Sequence, residues 1–280
     1  MGRSTKVERD GLVFDVLDEG PRDGEPVVLL HGFPERATAW RLVAPLLHAR
    51  GYRTLAMDQR GYAPGARPRR RRDYRTAELA RDVVAVIEQL VGPGGSAHVV
   101  GHDWGAIVAW TVAQQHPESV RTLTAVSVTH PGAFLRSMFR STQGLKSWYM
   151  AMFQIPGGAE SLARTPVFPK MLAGFGMRPD EVERCQREVV GSGALRGGLM
   201  YYRALPLNDP REMRLPVRVP TTLVYSTGDA ALGKWGARHC EDFVEGPYEY
   251  VELEGISHWV PTHAPEVLAE AILRRVGAGD

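Results

Sequence analysis

The stretch AHVVGHDWGA, Ala97 to Ala106, decides the fold. Ala97–Gly101 is a short apolar run with β-branched residues, as expected of a buried strand. Gly105–His116 is mostly apolar and free of proline, which predicts a buried helix. Only Gly101-His102-Asp103-Trp104-Gly105 joins them. So short a link forces a sharp turn, and its glycines leave room where side chains would clash. The central residue, Asp103, is lifted above the strand end, beside a helix N-terminus whose dipole favours negative charge. Asp103 also reads as a plain helix N-cap, a role aspartate fills well. The surrounding sequence has to decide between the two.

Outward from this turn, short apolar runs alternate with amphipathic segments. Leu12–Leu17, Pro26–Leu30, Tyr52–Met57 and Val120–Val128 read as strands, and Ala37–Arg50 and Thr76–Leu90 as helices. Continuous apolar strands spaced by helices predict an α/β fold whose mostly parallel sheet is covered on both faces. From Pro131 to Leu215 the strand-like runs disappear, and Gln143–Met152, Pro179–Val190 and Gly193–Leu205 read as helices. The alternation resumes with strands Thr221–Ser226 and Tyr248–Leu253 and a closing helix at Pro265–Val276. The expected organisation is a core in two parts, residues 1–130 and 216–280, interrupted by a helical cap at 131–215. Such a cap lies over the carboxyl edge of the sheet, where open α/β sheets bind ligands.

A length of 280 residues suits one large domain with an insertion. Hydrophobic residues make up 44% and charged residues 24%, enough apolar material for a substantial core. A formal net charge of +2 is too small to imply binding to nucleic acid or an anionic membrane. No apolar run approaches the roughly 20 residues that span a bilayer. The opening MGRSTKVERDG lacks the apolar centre of a signal peptide. Cys185 and Cys240 make no disulfide framework and read as free thiols. Together these features predict a cytoplasmic protein. Arg67, Arg69, Arg70, Arg71 and Arg72 could mark an anion site, but without a basic excess elsewhere a solvated loop is expected.

The chemistry follows from the choice of aspartate. A serine hydroxyl needs a base before it attacks an acyl carbon, whereas a carboxylate is already anionic. It can displace a leaving group from saturated carbon and form an alkyl ester. Water must then hydrolyse that ester, which calls for a base, an acid to orient it, and donors for an oxyanion. His258, in Gly255-Ile256-Ser257-His258-Trp259 after the strand Tyr248–Leu253, is the candidate base. Asp229, in Thr227-Gly228-Asp229 after the strand Thr221–Ser226, is the candidate acid, with a turn-forming role as the alternative. Both follow strand carboxyl ends, and the order nucleophile, acid, histidine is one in which such triads occur. The oxyanion donors are expected to be the backbone N–H groups of Trp104 and of Phe33, in His31-Gly32-Phe33-Pro34-Glu35. No Cys/His grouping has metal-ligand spacing, and no cofactor is expected.

The motifs HGFPE, GHDWG, TGD and SHW together resemble the epoxide hydrolases of the α/β-hydrolase fold, from about Gly11 to Val276. The resemblance implies two cap tyrosines that donate hydrogen bonds to the epoxide oxygen. In Tyr149-Met150-Ala151-Met152-Phe153-Gln154-Ile155-Pro156-Gly157 the family pattern assigns the first to Tyr149. The second pattern, Trp-Tyr-Arg, reads Tyr201-Tyr202-Arg203 here and assigns Tyr202, with Tyr201 replacing the tryptophan. A phenol, of pKa roughly 10, stays protonated at neutral pH and can share its proton with a departing alkoxide. Adjacent helical residues point about 100° apart, so Tyr201 and Tyr202 cannot both face one spot. Core packing is the other reading of each tyrosine. The loop Gly61-Tyr62-Ala63-Pro64-Gly65 departs from the family's Gly-Tyr-Gly-x-Ser without removing a catalytic group.

The expected reaction is hydrolysis of a small apolar epoxide to a vicinal diol through an ester on Asp103. His31, Pro34, Met152, Phe153 and Trp259 are expected against the substrate. The Met- and Phe-rich cap suits an adaptable apolar pocket, though ordinary packing would give the same composition. The core motifs are shared with dehalogenases, which would use the same Asp-His-Asp set. Halide release needs N–H donors rather than phenols, and chloride release against diol formation separates the two. A non-catalytic ligand-binding homologue is the third reading, marked by tight binding without turnover. Monomer and homodimer are equally open.

Overall fold

In the computed structural model, residues 3–278 are described. They form one eight-stranded sheet from β1 (Arg3–Arg9), β2 (Leu12–Glu19), β3 (Pro26–Leu30), β4 (Arg53–Met57), β5 (Ala97–His102), β6 (Val120–Val126), β7 (Thr221–Ser226) and β8 (Tyr248–Leu253). Strand order is β1-β2-β4-β3-β5-β6-β7-β8. The β1–β2 and β2–β4 pairs are antiparallel, and the other pairs are parallel. The helices used below are α1 (Thr76–Leu90), α2 (Trp104–Gln115), α3 (Pro131–Arg140), α4 (Trp148–Phe153), α5 (Leu195–Ala204) and α6 (Pro265–Gly277).

All five residues of β3 are buried, because both faces of the sheet are covered. Val27 and Leu29 enter one core with Trp40, Leu47, Leu268 and Ile272. Val28 and Leu30 enter the other, with Val83 and Val86 of α1 and Val108 and Val112 of α2. Each such side chain taken from water stabilises the fold by roughly 1.5–3 kcal/mol. Strand order reverses at β3, which has β4 on one side and β5 on the other. Open α/β sheets form a ligand crevice at the carboxyl ends of strands at such a reversal.

Between β6 and β7 the described chain makes helices and turns but no strand of the sheet. This insertion is fastened closely to the core at α5. A Cβ placed on Gly197 would lie 2.1 Å from the Gly61 carbonyl oxygen, so only glycine lets the two backbones approach.

Several expected elements differ. The strand β1 escaped the sequence pattern because, among Ser4–Arg9, only Val7 is fully buried and the other positions of the strand are polar. The segment Ala37–Arg50 is a tight turn of helix, Ala37–Leu42, followed by a single turn, Ala44–His48, with Pro45 in its first turn. Proline lacks an N–H and clashes with the preceding turn, so a continuous helix cannot pass through it. Gln143–Met152 likewise divides at Ser147 into Gln143–Lys146 and α4. Two of the loop arginines are not simply solvated. Arg67 donates to the carbonyls of Ser192 (2.9 Å) and Tyr62 (2.7 Å), and Arg71 Nε donates to that of Arg203 (2.8 Å). Arg71 thus meets the carbonyl end of α5, a favourable place for a cation. Cys185 and Cys240 are both free and buried. Among the described residues no helix is long and apolar enough to cross a membrane.

Candidate active site

β5 carries the chain to Asp103, whose φ of 53° and ψ of −119° lie where a residue with a side chain is strained. The neighbours over-determine that turn. Asp103 N donates to Val126 O (3.3 Å), and its carbonyl accepts from Ala106 N (2.9 Å) and Ile107 N (3.2 Å). Behind it, a Cβ on Gly105 would lie 2.1 Å from Leu30 O, so glycine is needed for α2 to reach the end of β3. The Asp103 side chain makes no capping hydrogen bond to α2. Its Oδ1 instead accepts from Phe33 N at 2.7 Å, and its Oδ2 lies 3.4 Å from His258 Nε2. Trp104 opens α2, and a first-turn N–H has no acceptor within its own helix.

His258 and Asp229 arrive from the loops after β8 and β7. His258 Nδ1 is 2.7 Å from Asp229 Oδ2, and Asp229 Oδ1 accepts from Ala231 N (2.7 Å) and Leu232 N (2.9 Å). The insertion braces that loop. Lys146 Nζ donates to the carbonyls of Asp229 and Leu232, both at 3.2 Å, and Gln143 pairs with Ala231 O (2.8 Å) and Gly233 N (2.7 Å). On the other side, the His258 carbonyl accepts from His102 Nε2 (2.9 Å) and Ser127 Oγ (3.1 Å).

Burial by itself would push the His258 pKa down, but the Asp229 and Asp103 carboxylates outweigh it and hold the imidazole well above its ordinary value. Burial would likewise raise Asp103, yet His258, His102 and the Phe33 N–H keep it below the usual carboxylate range. The pair at rest is therefore carboxylate and imidazolium.

Tyr149 on α4 and Tyr202 on α5 meet over this cluster, with ring centroids 6.2 Å apart. Burial above all, then Asp103, raises both phenols above their ordinary pKa, so both are protonated donors at neutral pH. Tyr201 points elsewhere: its hydroxyl donates to Arg60 O at 2.8 Å, away from the carboxylate.

Two cavities meet at Asp103, Tyr149, Tyr202 and His258, one of about 380 Å³ and one of about 40 Å³. Phe33, Pro34, Phe153 and Trp259 line the smaller. His31 and Met152 line neither. His31 is fully buried, with Nδ1 2.9 Å from Gly32 O and Nε2 accepting from Gln59 N at 3.2 Å, and so shapes the Phe33 loop from beneath. Met152 packs against the core as a half-buried side chain. Ile107, Phe134, Met138 and Leu205 line the larger cavity and were missed in the sequence. For Phe134 and Met138 the signal was the apolar spacing Phe134, Leu135, Met138 along α3, which looks the same as core packing.

The α/β hydrolase fold family matches residues 25–261. The chain is 32% identical to the AB hydrolase superfamily protein YfhM of Bacillus subtilis, over 95% of each chain. It is 34% identical to epoxide hydrolase 2 of Caenorhabditis elegans, over 94% of this chain and 76% of that one. The crystal structure of epoxide hydrolase A from Mycobacterium thermoresistibile superposes with a TM-score of 0.84 at 25% identity, covering 99% of this chain and 98% of that one. The chain belongs to the α/β-hydrolase fold family and, within it, to the epoxide hydrolases.

The electrostatics of the cluster predict that Asp103→Asn lowers the proton affinity of His258 by about tenfold or more, since it removes a charge within ion-pair reach. Titration of the histidine signals by NMR reads this directly, and an unchanged His258 titration would contradict the coupling.

Proposed function

We propose that this protein hydrolyses epoxides to vicinal diols through an ester on Asp103, with residues 131–215 acting as a cap over a core made of 1–130 and 216–280. The observation that carries the reading is the meeting of two protonated phenols, Tyr149 and Tyr202, over a carboxylate that already has an imidazole behind it. A carboxylate and histidine alone would serve other displacements from carbon. Paired phenols suit a leaving group that departs as an oxygen anion, and they set an epoxide apart from a halide.

In this scheme Phe33 N–H holds Oδ1, which leaves Oδ2 to attack a ring carbon. The carbon–oxygen bond of the ring breaks, and a phenol proton passes to the departing oxygen. Esterification removes the negative charge nearest Nε2, so the His258 imidazolium gives up its proton, which restores the phenol. The neutral imidazole then takes a proton from water as that water adds to Cγ of the ester. The negative charge gathers on Oδ1, between the N–H groups of Phe33 and Trp104. As the tetrahedral centre collapses, the bond from Cγ to Oδ2 breaks, and His258 returns its proton to that oxygen. The diol leaves with Oδ2, and water's oxygen remains on Asp103. The carboxylic acid so formed passes its proton to His258, restoring the starting pair. Asp229 holds the ring in place and stabilises its charge throughout.

The same scheme predicts a pH dependence. Asp103 is ionised well below neutrality, so the acid side is set by the ester form, in which protonation of His258 takes away the base of the second step.

With His258→Gln, the ester is expected to form and persist, and intact-protein mass spectrometry after incubation with styrene oxide should show one substrate mass added. Absence of adduct, with Asp103 and the fold intact, would remove the ester from the scheme. Tyr149→Phe and Tyr202→Phe should each slow ester formation by about tenfold to a hundredfold, and rapid-mixing fluorescence would follow it. Unchanged rates in both would assign the phenols to packing.

A further inference from the structure

Resting on the epoxide reading of this site, we propose a substrate class: terminal or methyl-substituted epoxides that carry one long, uncharged apolar arm. Asp103, Tyr149, Tyr202 and His258 border both cavities, so the epoxide ring sits where they meet and its two carbons face unequal spaces. The smaller space, about 40 Å³, is lined by the rings of Phe33, Phe153, Phe175 and Trp259, and its volume suits a hydrogen or a methyl group. The larger, about 380 Å³, runs along Ile107 of α2, Phe134 and Met138 of α3, Met150 of α4 and Leu205. Chain methylenes leave water along that whole path.

An exposed edge of the larger space, at Glu212, carries a negative charge. Gln115 Nε2 donates to Glu212 Oε2 at 3.2 Å, and both residues line the cavity. Among the described residues no lysine or arginine lines it. An arm ending in a carboxylate would meet the like charge of Glu212, which is exposed to water, and no cation among the residues lining the cavity. An alkyl, hydroxyl or amide end meets amide groups and no opposing charge.

The test uses the intact protein and measures kcat/KM for diol formation from the epoxides of 1-butene, 1-hexene and 1-decene, of 5-decene, and of 9-decenoate. Each added methylene on the terminal epoxides should raise kcat/KM by about fourfold until the arm reaches the mouth, from the value for burying one CH₂. The epoxide of 5-decene, with a butyl group on each carbon, should fall at least about tenfold below that of 1-decene, because overfilling a packed space is costly. The epoxide of 9-decenoate should also fall below that of 1-decene, by about fivefold from the repulsion of two like charges near contact in water, and Glu212→Gln should narrow this second gap. A 5-decene epoxide turned over as well as that of 1-decene would overturn the one-armed reading, and a carboxylate turned over as well as the alkane would overturn the charge reading. Diol from none of the five would overturn the epoxide reading and this inference with it.

Discussion

The parallel pairing of β3 with β5, which sets Leu30 opposite Gly101, is the constraint on which the site depends. It places the loop after β3 and the turn after β5 side by side at the point where strand order reverses. The Phe33 N–H then meets Asp103 Oδ1 at 2.7 Å without any adjustable side chain on the donor side. A backbone donor fixed by two paired strands is already oriented before charge develops, and such preorganisation is how an oxyanion is stabilised most effectively. The close approach of α2 to β3 at Gly105 and the positive φ of Asp103 are consequences of fitting a helix start into that reversal.

The electrostatic arrangement depends on the same geometry. An imidazole buried alone would lose its proton, and a carboxylate buried alone would gain one. Side by side, with Asp229 behind, His258 and Asp103 reverse both tendencies. The arrangement changes with the proposed chemistry, since an ester at Asp103 carries no charge. A single covalent step would then turn a histidine held as a cation into a base. The insertion contributes more than the two phenols: Lys146 and Gln143 hold the loop that carries Asp229, so insertion and acid are positioned by one set of hydrogen bonds.

The sheet and the turn at Asp103 were legible because their signals are local and dense. Fully buried strands such as PVVLL leave continuous apolar runs, and a strand separated from a helix by Asp103 alone has few ways to fold. Asp229 and His258 were legible as polar residues just beyond strand ends. Tyr202 rather than Tyr201 is assigned by resemblance to a family pattern, and the bond from Tyr201 to Arg60 O shows where that neighbour points. β1 left little trace because an edge strand with one buried residue among Ser4–Arg9 has almost no hydrophobic pattern. The roles of His31, Lys146 and Arg71 were invisible for another reason. Each is engaged with backbone atoms distant in sequence, and residue type alone does not reveal such partners.

The direct measurement is a single turnover in ¹⁸O-water, with enzyme in excess over an aryl epoxide, followed by mass analysis of the diol and of the peptide containing Asp103. An ester on Asp103 that water cleaves at Cγ predicts diol without ¹⁸O and one ¹⁸O in the Asp103 peptide. Diol carrying ¹⁸O from the first turnover, with Asp103 unlabelled, would mean that water attacks the ring directly and that Asp103 is not the nucleophile.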